Sequence, residues 1–200
     1  MLDHVFTDAI GALRDAMENA FLERQAFEER FQADVLLGDL TWETSYGLPG
    51  EGSPPRVRAD ITMDWPTWAQ TSYRNWYIGE PFDETPEILV EVTLRIQRLK
   101  SRPSPEEVLN ALPRASPPIG NETLDRSGPT IEQVYGDDLS GDGEFAIEIS
   151  YEGTIPLDEG TLADGSVLDE RFGAMGGWVA STLVRLGDLH FDFLPPDPED

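Results

Sequence analysis

The chain has 200 residues, 39% hydrophobic and 10% aromatic, no cysteine, and 39 Asp+Glu against 14 Lys+Arg, for a formal net charge of −25. That length and apolar content suit one domain with a real core rather than a disordered chain, and the lack of cysteine excludes disulfides, thiol nucleophiles and cysteine-held zinc or iron–sulfur sites. A surface this acidic is a poor non-specific ligand for DNA or anionic lipid, so neither nucleic acid nor membrane is an expected partner. The opening MLDHVFTDAI has no basic n-region and no apolar h-region, and no apolar run approaches the ~20 residues of a bilayer span. The expected setting is therefore intracellular (cytoplasmic), or a particle assembled inside the cell.

Residues 3–32 read as one amphipathic helix. Phe6, Ile10, Leu13, Met17, Phe21, Arg24, Phe27 and Phe31 recur at steps of three or four, with Asp3 placed as N-cap. At 1.5 Å per residue such a helix reaches about 45 Å, more than this domain needs. It would either break near Arg24 or project to a neighbour, offering Phe27 and Phe31. The period then switches to two. Leu36, Leu40, Trp42 and Tyr46 can share one strand face, interrupted by Gly38, and GLPGEGSPP (47–55) is a loop. Val57, Ala59, Ile61, Met63 and Trp65 alternate with polar residues, as do Ile88, Val90, Val92, Leu94 and Ile96, and each run predicts a half-buried strand. A further strand is expected over Ser72–Ile78, and the short linkers imply antiparallel pairing.

Ser104-Pro105-Glu106-Glu107 is a capping box with proline at the first helical position, opening a short helix to about Leu112. Composition makes 113–129 a loop; strands resume at Thr130–Tyr135 and Glu144–Glu152 around the turn DDLSGDGE (137–144). In 167–186, Leu168, Phe172, Met175, Val179, Leu183 and Leu186 fit a helix, but Gly173, Gly176 and Gly177 argue against one. A strand over Trp178–Leu186, turning at Gly187-Asp188 into Leu189–Phe193, is preferred. The fold expected is α+β, one domain over residues 1–194. A long N-terminal helix packs on an antiparallel sheet or partial barrel, with a loop-rich segment at 101–129 and a disordered acidic tail at 195–200.

The chemistry-bearing motifs are sparse. Asp138, Ser140, Asp142 and Gly143 match the first half of a calcium loop, but the twelfth position, which needs a bidentate Glu, is Ile149. The two histidines, His4 and His190, lack metal-ligand spacing, and no G-x-S-x-G elbow supports a nucleophile. Acids are so abundant that a paired acid–base site needs a cleft to single it out. The expectation is no catalytic residue, no metal and no cofactor. DWPTWAQTSYRNWY concentrates Trp65, Trp68, Tyr73, Trp76 and Tyr77, which can fill the core, anchor a protein interface or stack a ligand. Arg95, Arg98, Lys100 and Arg102 form the one basic cluster, with Arg56 and Arg58 on a strand that can neighbour it. They can pair with acids across strands or meet an acidic neighbouring subunit.

The order of a long amphipathic helix, antiparallel strands with long loops, a short helix and a hairpin resembles the small tail-completion and tail-terminator proteins of tailed viruses over roughly residues 1–100. That resemblance is one of pattern, without a diagnostic motif, and residues 115–200 add strands a minimal tail terminator does not need. It implies a non-enzymatic subunit that forms a ring at a tail end. The same order suits a helix-grip ligand-binding fold, whose long helix is usually C-terminal. Thirteen arginines to one lysine, Lys100, together with the acid excess, resemble the proteins of salt-in halophiles, haloarchaea especially. The function expected is a structural component of a larger particle from a halophilic archaeon or its virus, partnered by other protein subunits or by itself. Its contacts are expected at Trp68, Trp76, Tyr77, Arg95, Arg98 and Arg102, with Phe27 and Phe31 if the helix projects. A small-molecule or glycan-binding domain and an acidic DNA-mimic inhibitor are the alternatives.

Overall fold

The computed structural model describes residues 4–20, 26–33, 38–48, 54–135 and 143–195. The fold is α+β: helices packed on an antiparallel sheet. Helix α1 spans His4–Ala20 and buries Val5, Phe6, Ala9, Ile10, Leu13 and Met17, the expected stripe. Asp3, Phe21 and Arg24 lie outside the described residues. The single helix over 3–32 is corrected: Ala26–Ala33 is strand β1, antiparallel to β2 (Leu40–Gly47), with Phe31 opposite Trp42. Phe27 and Phe31 are thus in an edge strand and not on a projecting helix. Their four-residue spacing suits a helix, but pairing with β2 supplies the backbone partners, and tertiary context overrides so weak a local preference.

β3 (Val57–Trp65) and β4 (Glu87–Leu99) form where the alternation placed them, in register from Val57 opposite Ile96 to Asp64 opposite Leu89. Helix α2 (Thr67–Tyr77) joins them, in place of the strand expected over Ser72–Ile78. Beyond β4 come α3 (Pro105–Ala111), the short β5 (Asp125–Arg126), β6 (Thr130–Val134) and β7 (Glu144–Pro156). The sheet runs β1-β2-β3-β4-β7, with β5 and β6 both on the far side of β7.

The strand expected over Trp178–Leu186 is also corrected. After the short α4 (Glu159–Ala163), a single helix α5 runs from Gly165 to Gly187, burying Leu168, Phe172, Met175, Gly176, Val179, Ala180, Leu183 and Leu186. The Asp164 carboxylate caps it, accepting from Ser166 N at 3.0 Å and Ser166 Oγ at 2.7 Å. Its glycines do not break it because packing, not propensity, carries most helix stability in a protein. Gly176 is where α5 meets α1: a Cβ there would lie 2.9 Å from both Ala16 Cβ and the Leu13 carbonyl oxygen.

α1 and α5 lie against each other over one face of the sheet. Phe6 stacks on Trp65 with centroids 6.1 Å apart, and Trp178 meets Tyr151 edge-on at 5.0 Å. That face carries the core: Trp42, Ile61, Met63, Val92, Leu94, Ile149 and Tyr151 are all buried. Each such side chain contributes about 1.5–3 kcal/mol relative to exposure. The opposite face is polar. Thr41 bonds Asp64, Ser45 bonds Asp60, and Thr93 and Ser150 lie 2.8 Å apart. No helix among the described residues is long and apolar enough to cross a membrane.

Candidate interaction surface

The aromatic segment divides by the geometry of α2. Trp65 ends β3 inside the core, and Pro66 turns the chain with φ −69° and ψ 156°. From there the buried positions Ala69, Gln70, Ser72 and Tyr73 follow helical spacing. A contact distant in sequence fixes the start of the helix. Asp39 accepts from Thr67 N at 2.6 Å and Thr67 Oγ1 at 2.7 Å, which holds its carboxyl below the ordinary carboxylate range. Gln70 Nε2 donates to the carbonyls of Gly38 at 2.7 Å and Trp65 at 3.0 Å. At the other end Gly79, with φ +86°, donates to Trp76 O at 2.9 Å while Glu80 N donates to Asn75 O at 2.8 Å, a Schellman termination.

The segment therefore presents a graded corner. Tyr73 is buried, its hydroxyl 3.0 Å from His4 Nδ1 and its ring 6.0 Å from that of Trp76. Trp68, Trp76 and Phe82 are partly buried against the core. Tyr77 and Ile78 stand outside it, 60% and 70% exposed. An exposed aromatic and an exposed branched aliphatic on a rigid helix end, backed by packed rings, have the make-up of a protein-contact anchor.

The basic cluster is not one surface. Arg95 lies on the polar sheet face, bridging Glu148 and Glu132 (3.0 Å to the latter). Burial works against its charge, but the two carboxylates outweigh that and hold its pKa above the usual value. Arg95 thus makes the cross-strand pairing that stood beside a subunit contact as one of its two readings. Arg98 departs from its expected surface position: it is 3% exposed. It sits at φ +63° where the β4–β7 register shifts between Ile96 and Leu99. Its guanidinium donates to the Pro195 carbonyl, and its own carbonyl accepts from Leu194 N at 2.7 Å. Arg98 is a strut that pins the C-terminal segment to the end of β4. Nothing in the residue type signalled this; the bulge and the returning chain decide it. Lys100 and Arg102 remain exposed.

No family model, curated protein or solved structure matches this chain.

The polar sheet face holds a shallow depression of about 370 Å³ lined by Asp64, Leu89, Glu91, Glu152, Gly153 and Thr154. Among the described residues no three His, Asp or Glu side chains are grouped to hold a metal ion. Asp138, Ser140 and Asp142 of the calcium-like loop lie outside the described residues. Gly143 has φ +69°, and the flanking elements are strands β6 and β7 rather than helices, with Ile149 buried in the sheet.

Proposed function

We propose that this chain is a non-enzymatic structural subunit of a larger particle, such as a virion neck or tail component, from a halophilic archaeon or its virus. The Tyr77–Ile78 corner carries this reading. A chain of net charge −25 that leaves these two adjacent side chains 60% and 70% exposed, the most exposed large hydrophobics among the described residues, keeps an apolar contact point on an acidic surface. The distribution of acids supports the salt-adapted part. Asp8, Asp15 and Glu18 on α1, Asp169 and Glu170 on α5, and Glu91 and Glu152 on the sheet are all exposed. Acids on every side suit solvation in dense salt; a DNA mimic needs them spaced along one face. Sedimentation velocity in concentrated KCl tests the reading. The parent should sediment as an assembly and Ile78→Asp as a smaller species with an unchanged circular-dichroism spectrum. A parent that stays monomeric at every concentration refutes it.

A further inference from the structure

Among the described residues the sheet ends at β1 on one side and at β5 and β6 on the other. These edges are built differently. β1, AFEERFQA, carries Glu28, Glu29 and Arg30 among its eight residues, and charge is a usual protection of an edge against strand addition. The outer side of β5 is covered by the chain itself: Arg126 N donates to Arg114 O at 2.9 Å, and Ala115 bridges Asp125. β6 has neither device. With the residue after it, it reads Thr130-Ile131-Glu132-Gln133-Val134-Tyr135, without proline, glycine or lysine. Its single charged side chain, Glu132, is turned to Arg95 at 3.0 Å. Val134 and Tyr135 are 38% and 53% exposed, on a stretch of high β-propensity.

The register shows which backbone groups face outwards. Ser127 N donates to Ser150 O at 2.8 Å and Ser150 N donates to Ser127 Oγ at 3.1 Å, so Ser150 aims its backbone at this edge. Alternate residues of β7 do the same, and Glu148, Ala146 and Glu144 stand opposite Thr130, Glu132 and Val134. The backbone groups of Ile131, Gln133 and Tyr135 therefore point away from β7. No strand among the described residues takes those of Ile131 or Tyr135.

We propose that β6 pairs with β6 of a second copy of this chain, antiparallel about a two-fold axis at Gln133. The segment complements itself in that register, which is what selects a second copy. Ile131 meets Tyr135 of the second copy on either side of the axis, an aliphatic–aromatic pair whose outward backbone groups satisfy each other. Glu132, already turned to Arg95, meets Val134 and not another acid. A shift of two residues one way sets Glu132 against itself, and like charges directly opposite are destabilising. A shift the other way brings Ile131 opposite Asp137. Antiparallel pairing also sends the acidic sequences that follow Tyr135 in opposite directions, so the two copies of DDLSGDGE do not meet. The contact is isologous and closes at a dimer.

The dimer does not use the Tyr77–Ile78 corner, so Ile78→Asp serves as a background in which the corner contact is removed. Light scattering at the lowest KCl concentration that gives the parent's circular-dichroism spectrum should find Ile78→Asp dimeric. Adding Gln133→Glu or Gln133→Lys sets like charges against each other across the axis and should raise the dissociation constant at least about tenfold. The two mixed in equal amounts should recover the dimer, because a carboxylate then faces an ammonium. Tyr135→Pro removes an outward N–H and none that β7 uses; it should leave a monomer, and it decides the matter if either change at Gln133 loses the parent's spectrum. A monomeric Ile78→Asp beside an assembling parent refutes the dimer and leaves the corner reading standing, and a monomeric parent refutes both. A parent and an Ile78→Asp of the same dimeric mass, both dissociated by Tyr135→Pro, uphold the β6 contact and overturn the corner. A dimer that survives Tyr135→Pro or the like charges, or a mixture no tighter than its components, refutes the pairing.

Discussion

Gly176 and Gly177 are neighbours in α5 and should respond to alanine in opposite directions. In either place alanine restores about 0.5–1 kcal/mol of helix preference. At Gly177 a Cβ meets nothing within 4 Å, so Gly177→Ala should stabilise the fold by that amount. At Gly176 the new Cβ would stand 2.9 Å from Ala16 Cβ and from the Leu13 carbonyl oxygen. The second is backbone in the middle of α1, so relief requires moving one helix against the other. Overpacking of this kind costs about 1–3 kcal/mol, which outweighs the gain and leaves Gly176→Ala destabilised by up to about 2 kcal/mol. For a chain of this length each kcal/mol moves Tm by about 2–4 °C. Thermal unfolding followed by circular dichroism in concentrated KCl should place Gly177→Ala a few degrees above the parent and Gly176→Ala below it. If both variants rise together, the close approach of α1 and α5 at Gly176 is wrong.

Tm should rise from dilute buffer to molar KCl, because salt at about 1 M shortens the Debye length to about 3 Å and relieves repulsion among the exposed acids; a flat response removes the halophilic argument. Two carboxylates should give opposite pH signatures in unfolding titrations. Asp39 has a depressed folded pKa, so its contribution is present above the ordinary carboxylate range and is lost as pH falls through the folded value. Asp39→Ala should lower Tm at neutral pH by more than it does in acid. Glu87 has a raised folded pKa, so its charged form opposes folding at neutral pH. Glu87→Gln should raise Tm there and have no such effect once the pH is low enough to protonate Glu87 in both states. A Glu87→Gln gain that persists undiminished in acid would show that charge is not its origin.

The strands β3 and β4 were legible in the sequence alone because a sheet with one covered face forces a period of two. Val57 to Trp65 and Ile88 to Ile96 obey it at every step. The buried stripe of α1, the opening of α3 at Pro105 and the excess of acids were legible for similarly local reasons. Where two local readings nearly balance, only the assembled molecule chose. Phe27 and Phe31 suit a helix by spacing, yet the free edge of β2 takes their segment as a strand. The aromatic run within Ser72–Ile78 suggests a strand, yet Asp39 and the Gly38 carbonyl, supplied from before β2, hold Thr67–Tyr77 as a helix. Gly176 looks like a helix breaker until α1 lies close enough to need a residue without a side chain there. The same applies to the contact residues. Tyr73 is inside because it packs against both His4 and Trp65, while Tyr77, one turn on along the same face at the end of α2, meets the rings of His4 and Tyr73 and is left largely exposed. Arg98 is buried while Arg102 is free because a bulge and the returning C-terminal segment close over one and not the other. Periodicity and composition are properties of neighbouring residues; these choices depend on groups tens of residues apart, which meet only when the chain has folded.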